Sequence, residues 1–213
     1  MVSNKVEAKL KVIDEYKSEE MLSKHLDVVE SFSFTLNEFK QELEVSRYPI
    51  FVKIISNKAV HKVKSGALFE FFSEQSFVKQ KPLILRRAKQ LKSNKIVIQE
   101  KIYGKEFIFG IKDDEKFGKL LMIGIGGRLA EQLKDVSFRV IPIRKTEFFS
   151  MLNDLKNQAM LSNLNKDKLW LFTSKLIAFA NKHKEIAFID LNPVIIESDT
   201  KKPIIVDARI YTK

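Results

Sequence analysis

Residues 117–143 read FGKLLMIGIGGRLAEQLKDVSFRVIPI, and the order of residue types within them sets the reading of everything on either side. An apolar run, Leu120 to Ile123, meets Gly124, Gly126 and Gly127. A helix-like segment, Arg128 to Lys134, follows. Asp135 and Arg139 come next, then a second apolar run from Val140 to Ile143. Glycines between a strand and a helix can leave backbone N–H groups open to an anion. The same residues also suit a tight turn that binds nothing, and on this stretch alone both readings stand.

Upstream, KIVIQEKI predicts a strand over Ile96 to Ile102, with Gly104 turning the chain. Phe107 to Ile111 predicts a second strand, and DDEKFG closes a hairpin into Leu120 to Ile125. Downstream, Ser137 to Ile143 reads as a strand. Thr146 and Glu147 open a helix to about Leu155, and 156–165 is polar without a defined element. Lys166 to His183 has Leu169, Phe172, Leu176 and Phe179 on one helical face, with Trp170 packed beside it.

The chain continues with AFIDLNPVIIE (187–197) and PIIVDARIY (203–211). Residues i and i+2 of a strand share a face, so Asp190 and Asn192 project together. A hairpin would bring Asp207 opposite them. Three hard oxygen donors of this kind suit a Mg²⁺ that completes its shell with waters and phosphate oxygens. The competing reading is acids on the solvent side of apolar strands.

The first part of the chain reads as alternating helices and strands. Residues 1–16 predict a charged helix with Val6, Leu10, Ile13 and Tyr16 on one face, and Ser18 caps a second helix with Glu19 and Glu20 in its first turn. Val28 to Phe34 predicts a strand. Thr35 and Glu38 form a capping box for a helix from Leu36 to about Leu43, with Leu36, Phe39 and Leu43 inward. PIFVKII (49–55) is a buried-strand pattern holding one lysine, Lys53. Its amine must reach water, by snorkelling, or an anion. A polar loop at 57–65 contains His61. Gly66 to Phe72 predicts a strand, and Pro82 at a first helical position predicts a helix over 82–92. The pattern is α/β or α+β, divided as an N-terminal helix (1–17), a first subdomain (18–94) and a second (95–213).

Composition narrows the function. The chain has 213 residues, 45% of them hydrophobic and 31% charged, with no cysteine, which excludes disulfides and thiolate metal sites. No apolar run approaches the ~20 residues of a membrane span, and the N-terminus lacks a signal-peptide apolar region, so no membrane contact and a cytoplasmic location are expected. The net charge of +11 is spread over scattered lysines. Without a helix-turn-helix, zinc-finger or basic–aromatic pattern, nucleic acid is not the expected partner. The three histidines lack zinc-like spacing. No G-x-x-x-x-G-K-[ST] is present, and Leu129 occupies the third position of a G-x-G-x-x-G, which disfavours P-loop and Rossmann sites.

From about Tyr48 to Ile210, the ordered pieces PIFVKII, KIVIQEKIYGKEFIFGIKDDEKFG, LLMIGIGGRLAEQLKDVSFRVIPI and AFIDLNPVIIE…IIVDARI resemble the ATP-grasp domain of the β subunit of ADP-forming acyl-CoA (acetyl-CoA) synthetases, relatives of succinyl-CoA synthetase. The resemblance implies an ATP-grasp fold with two α/β subdomains and a nucleotide cleft between them. It implies that Lys53 contacts phosphates, and that Gln99, Glu100, Lys101 and Ile102 lie at the adenine edge. Glu106 and the glycines Gly126 and Gly127 would face the nucleotide. Asn192 and Asp207, with Asp190 alongside, would ligate Mg²⁺. Arg139 and Arg209 would stabilise charge on the transferring phosphoryl group, and His61 could relay it. The implied cofactors are ATP or ADP and Mg²⁺. The implied partner is a CoA-binding α subunit, in a hetero-oligomer, whose histidine exchanges a phosphoryl group with ADP. A diverged, non-catalytic nucleotide-binding chain is the competing expectation. It rests on the loop His61-Lys62-Val63-Lys64-Ser65-Gly66-Ala67, where the family usually reads H-K-S-D-x-G-G.

Overall fold

The computed structural model describes residues 10–41, 43–56, 65–127 and 134–213. In chain order its elements begin with β1 (Lys11–Ile13), α1 (Glu15–Ser23), β2 (Ser31–Thr35), α2 (Leu36–Lys40), β3 (Ile50–Ile55) and β4 (Leu68–Phe71). Next come α3 (Glu74–Gln90), β5 (Lys95–Glu100), β6 (Gly104–Asp114), β7 (Gly118–Ile125) and β8 (Val136–Val140). The chain continues with α4 (Lys145–Asp154), α5 (Gln158–Leu161), α6 (Lys166–Lys182), β9 (Ile186–Glu197), β10 (Pro203–Ile205) and β11 (Ala208–Thr212). No helix among the described residues is long and apolar enough to cross a membrane.

The elements form two units. The larger comprises residues up to Val28 together with Tyr103–Lys213, and the smaller is Val29–Ile102. This moves both expected boundaries. β5 is bonded to β2 and β3, so it belongs to the smaller unit and not to the block that follows it. The expected first helix gives way, in its described part, to β1, because β11 offers Lys11–Ile13 an antiparallel edge. Ser18, expected as a cap, sits inside α1, and Asp14 caps that helix. The Ser18 hydroxyl donates to Ile13 O and accepts from Ile210 N, bridging the end of β1 to β11.

The larger unit is an antiparallel sheet in the order β1-β11-β9-β6-β7-β8, with β10 also paired to β9. One face packs against helices. Phe107, Phe109, Ile111, Leu121, Ile123, Ile189 and Leu191 join Phe148, Leu152, Leu169, Phe172 and Leu176 in one core, with Phe109 edge-on to Phe172 at 5.1 Å. Each such side chain, fully buried, contributes roughly 1.5–3 kcal/mol of transfer free energy. The expected helical face of Leu169, Phe172, Leu176 and Phe179 is buried in full.

The smaller unit is a four-stranded antiparallel sheet, β2-β5-β3-β4. Ile50, Val52, Ile54, Ile96 and Ile98 face Phe39 of α2 and Phe77, Ile84 and Ala88 of α3. The capping box is present, with Thr35 and Glu38 each bonding the other's backbone, although α2 ends at Lys40. Ser73 caps α3, and Pro82 lies inside that helix, not at its start. Pro82 has no N–H for the Val78 carbonyl one turn earlier, and both residues lie on the exposed side of α3, where water can serve that carbonyl.

Candidate functional site

The alternation of β9 and β11 sorts their side chains. Ile189, Leu191, Ala208 and Ile210 enter the core, while Phe188, Asp190, Asn192, Arg209 and Tyr211 project from the face turned away from the helices. Asp190 is the cross-strand partner of Arg209. The Asp207 carbonyl accepts the Asn192 N–H at 3.0 Å, which ties the two ends of the group together. A bulge sharpens the aim. Phe107 pairs with Val194 and Phe109 with Leu191, so Asn192 and Pro193 together oppose Ile108. On the other side of β9, Gly110 pairs with Asp190, and a Cβ on Gly110 would lie 3.3 Å from Met122 Cε.

Burial, then the charge of Asp207, pushes the Asp190 carboxyl up to about 6, with Arg209 acting in the opposite sense. A carboxyl group whose ionisation is disfavoured by burial and by a neighbouring carboxylate forms a place for a cation. Among the described residues no three His, Cys, Asp or Glu side chains gather to form a metal cage. Two carboxylates with an amide oxygen fit Mg²⁺, which keeps several waters and takes phosphate oxygens.

Glu106 stands at the glycine turn. Gly126 N donates to Glu106 O at 2.8 Å, and a Cβ on Gly126 would fall 2.9 Å from the Glu106 carbonyl carbon. Gly127 has φ +98°, a conformation that glycine adopts without strain. A Cβ there would lie 3.8 Å from Glu106 Oε2. The helix-like segment expected after the glycines lies largely outside the described residues.

Arg139 does not join Arg209. It pairs with Leu121 across β7, which turns it to the helix-covered face. There its guanidinium bonds Asp154 Oδ2 at 2.7 Å, Ser150 Oγ and Phe138 O. Hydrogen bonds from Arg139 and Ser137 hold the Asp154 carboxyl below its ordinary value. Asp135 is likewise committed elsewhere. It is 4% exposed, and its two oxygens accept Lys156 N at 2.7 Å and Asn157 N at 2.9 Å, fixing the turn between α4 and α5.

In the smaller unit, Lys53 is 3% exposed. It projects from the sheet face opposite Val52 and Ile54, with Leu68 and Val97 as cross-strand neighbours. Gln99, paired with Phe51, shares that face. The Lys101 N–H bonds Pro49 O at 3.0 Å, and its amine pairs with Glu70 over the rings of Phe51 and Phe72. Ile102 follows at the unit's boundary. Glu100 borders a pocket of about 440 Å³ walled by Phe32, Phe34, Val45, Ile50 and Ile98. Ile50 and Ile98 belong to the helix side, so this pocket is not on the face of Lys53. His61 lies outside the described residues. Phe188 and Tyr211, their rings tilted at 35° with centroids 5.4 Å apart, flank Asp190 and Arg209 and were not among the expected site residues. Counting two positions from each charged residue would have found them.

The chain matches the ATP-grasp domain family over residues 5–211. It is 30% identical over 224 residues to the β subunit of acetate–CoA ligase (ADP-forming) I of Pyrococcus furiosus, covering 98% of this chain and 95% of that one. It is 32% identical over 173 residues to acetate–CoA ligase (ADP-forming) I of Archaeoglobus fulgidus, covering 75% of this chain but spanning only 25% of that longer protein. An acetyl-coenzyme A synthetase 1 of Ca. Korarchaeum cryptofilum, solved with coenzyme A and Mg-AMPPCP and with its phosphohistidine segment pointing towards the nucleotide binding site, superposes with a TM-score of 0.73 at 27% identity, over 95% of this chain and 93% of that one. Family match, β-subunit coverage and the mixed α/β architecture agree, and the chain belongs to the ATP-grasp family, among the β-type chains of the ADP-forming acid–CoA ligases.

Proposed function

We propose that this chain binds Mg·ATP and Mg·ADP and moves a phosphoryl group between the nucleotide and a histidine of a separate, CoA-binding α chain. The net reaction would be acyl-CoA + ADP + phosphate ⇌ acid + ATP + CoA. The observation that carries this reading is the β9–β11 group, with Asp190 beside Arg209 and Asn192 bonded to the Asp207 backbone, in a chain of this family. Asn192 and Asp207 would hold Mg²⁺ with Asp190 alongside, and the ion when bound would neutralise charge on the phosphates. Arg209 would balance charge at the transferring group. Lys53 would hold phosphate oxygens from the sheet face that it shares with Gln99. The backbone of Gln99 to Ile102 would meet the base, and Glu106 with Gly126 and Gly127 would line the nucleotide. Arg139 has no part in this assignment.

Titration calorimetry with Mg·ADP tests the binding step. Micromolar-range binding that collapses in Asp207→Ala is expected, and absence of binding by the unaltered chain would overturn the proposal. ATP/ADP exchange with the cognate α chain tests the transfer step. The loop His61–Ala67, with lysine in place of the family's acid, favours a second reading in which nucleotide binds without transfer. Binding with no exchange in the presence of the α chain would select it.

A further inference from the structure

β8 ends the larger sheet. It pairs with β7 on one side, and among the described residues nothing pairs with its other edge. Ile141 N bonds Lys119 O and Ile125 N bonds Asp135 O, so the odd-numbered residues of β8 bond to β7. In an antiparallel ladder the alternate residues, Val136, Phe138 and Val140, then direct their N–H and C=O groups to the free edge. Their side chains share the face turned away from the helices, and they are 37%, 52% and 47% exposed. An unpaired edge bearing three exposed apolar side chains is a template for another strand.

The strand also matches itself. VSFRV is nearly palindromic about Phe138. In an antiparallel pairing of two copies centred there, Phe138 meets Phe138, Val136 meets Val140, and Ser137 meets Arg139. The alternate-face residues bring Arg139 of one copy towards Ser137 of the other, which holds Asp154 at 2.9 Å, so cation approaches carboxylate. A shift of two residues one way would oppose Arg139 to Arg139, and a shift the other way would leave Val140 opposite Lys134. Arg139 Nη1 already donates to Phe138 O at 2.8 Å, but a carbonyl has a second lone pair for the new strand. We infer that two copies of this chain associate edge to edge through β8, in an isologous antiparallel pair centred on Phe138.

The contact is short, so association is expected in the micromolar range or weaker. Sedimentation velocity from about 10 to 500 µM should show the mass rising towards that of a dimer. Phe138→Asp should remain monomeric throughout with an unchanged melting temperature, since Phe138 is exposed. The absence of native cysteine permits a register test. Phe138→Cys should oxidise to a disulfide dimer, because the pairing sets the two Cα atoms about 5.5 Å apart. Val136→Cys should not, whereas mixing it with Val140→Cys should. A monomer at 500 µM with equal oxidation of Phe138→Cys and Val136→Cys overturns the inference. So does a dimer that survives Phe138→Asp. A Phe138→Asp chain that loses only its binding to the α chain would assign this edge to that partner and equally overturn it.

Discussion

Two strands of one sheet, β8 and β11, each carry an arginine near a carboxylate, and the two pairs belong to different parts of the molecule. Arg209 projects beside Asp190 on the face away from the helices, where burial and Asp207 raise the Asp190 pKa. Arg139 turns to the helix side and closes an ion pair with Asp154 at 2.7 Å. Each strand carries a single arginine. What separates them is parity, which is set by pairing with strands distant in sequence. A pair left with a disfavoured charge suits a ligand, whereas a pair satisfied by its neighbours suits the fold.

The comparison is sharpest at Asp207. Asp207→Ala should weaken Mg·ADP binding by more than the ~10–100-fold that second-shell changes cost at metal sites, with little change in thermal stability. Calorimetry and a melting curve on the same variant separate the two effects. Asp135→Ala should do the reverse. Removing an acceptor from two backbone N–H groups in a buried turn should lower stability by about 2–4 kcal/mol, measured by denaturant unfolding, and leave nucleotide affinity within about twofold once folded.

The pH dependence comes next. The folded pKa of Asp190, about 6, exceeds its ordinary value of 3.8. Its contribution to the stability of the ligand-free chain is therefore fully present below that ordinary value and is lost as pH rises through 6. Mg²⁺ binding needs the carboxylate and should run the other way, weakening about tenfold from pH 7 to pH 5. Asp190→Asn should flatten both profiles. The smallest effect is expected from Arg139→Met, which loses a partly exposed ion pair. It should cost no more than a few degrees of melting temperature and leave Mg·ADP affinity unchanged. A large loss of affinity there would abolish the distinction between the two arginines.

Much of this organisation was legible in the residues, because much of it is local. The Thr35–Glu38 box, the DDEKFG turn and the stripe Leu169–Phe172–Leu176–Phe179 are short-range patterns, and all three appear as expected. Asp190 and Asn192 share a face through strand period alone. The misreadings needed distant partners. β1 is a strand because of β11, β5 joins the smaller unit because of β2 and β3, and Arg139 takes its side from β7. Pro82 was read as a helix start because Ser73, nine residues earlier, is a less conspicuous cap.

The pairing of Lys11 with Thr212 also bears on assembly over time. Those residues stand 201 positions apart, whereas residues 29–102 form the smaller unit from one continuous segment. During synthesis the smaller sheet has all its strands while the larger one still lacks β6 to β11. The strand β1 must wait, unpaired, until the residues of β11 emerge. Closing so long a loop is slow, so the smaller unit is expected to gain protection from hydrogen exchange first during refolding, and the β1–β11 ladder last.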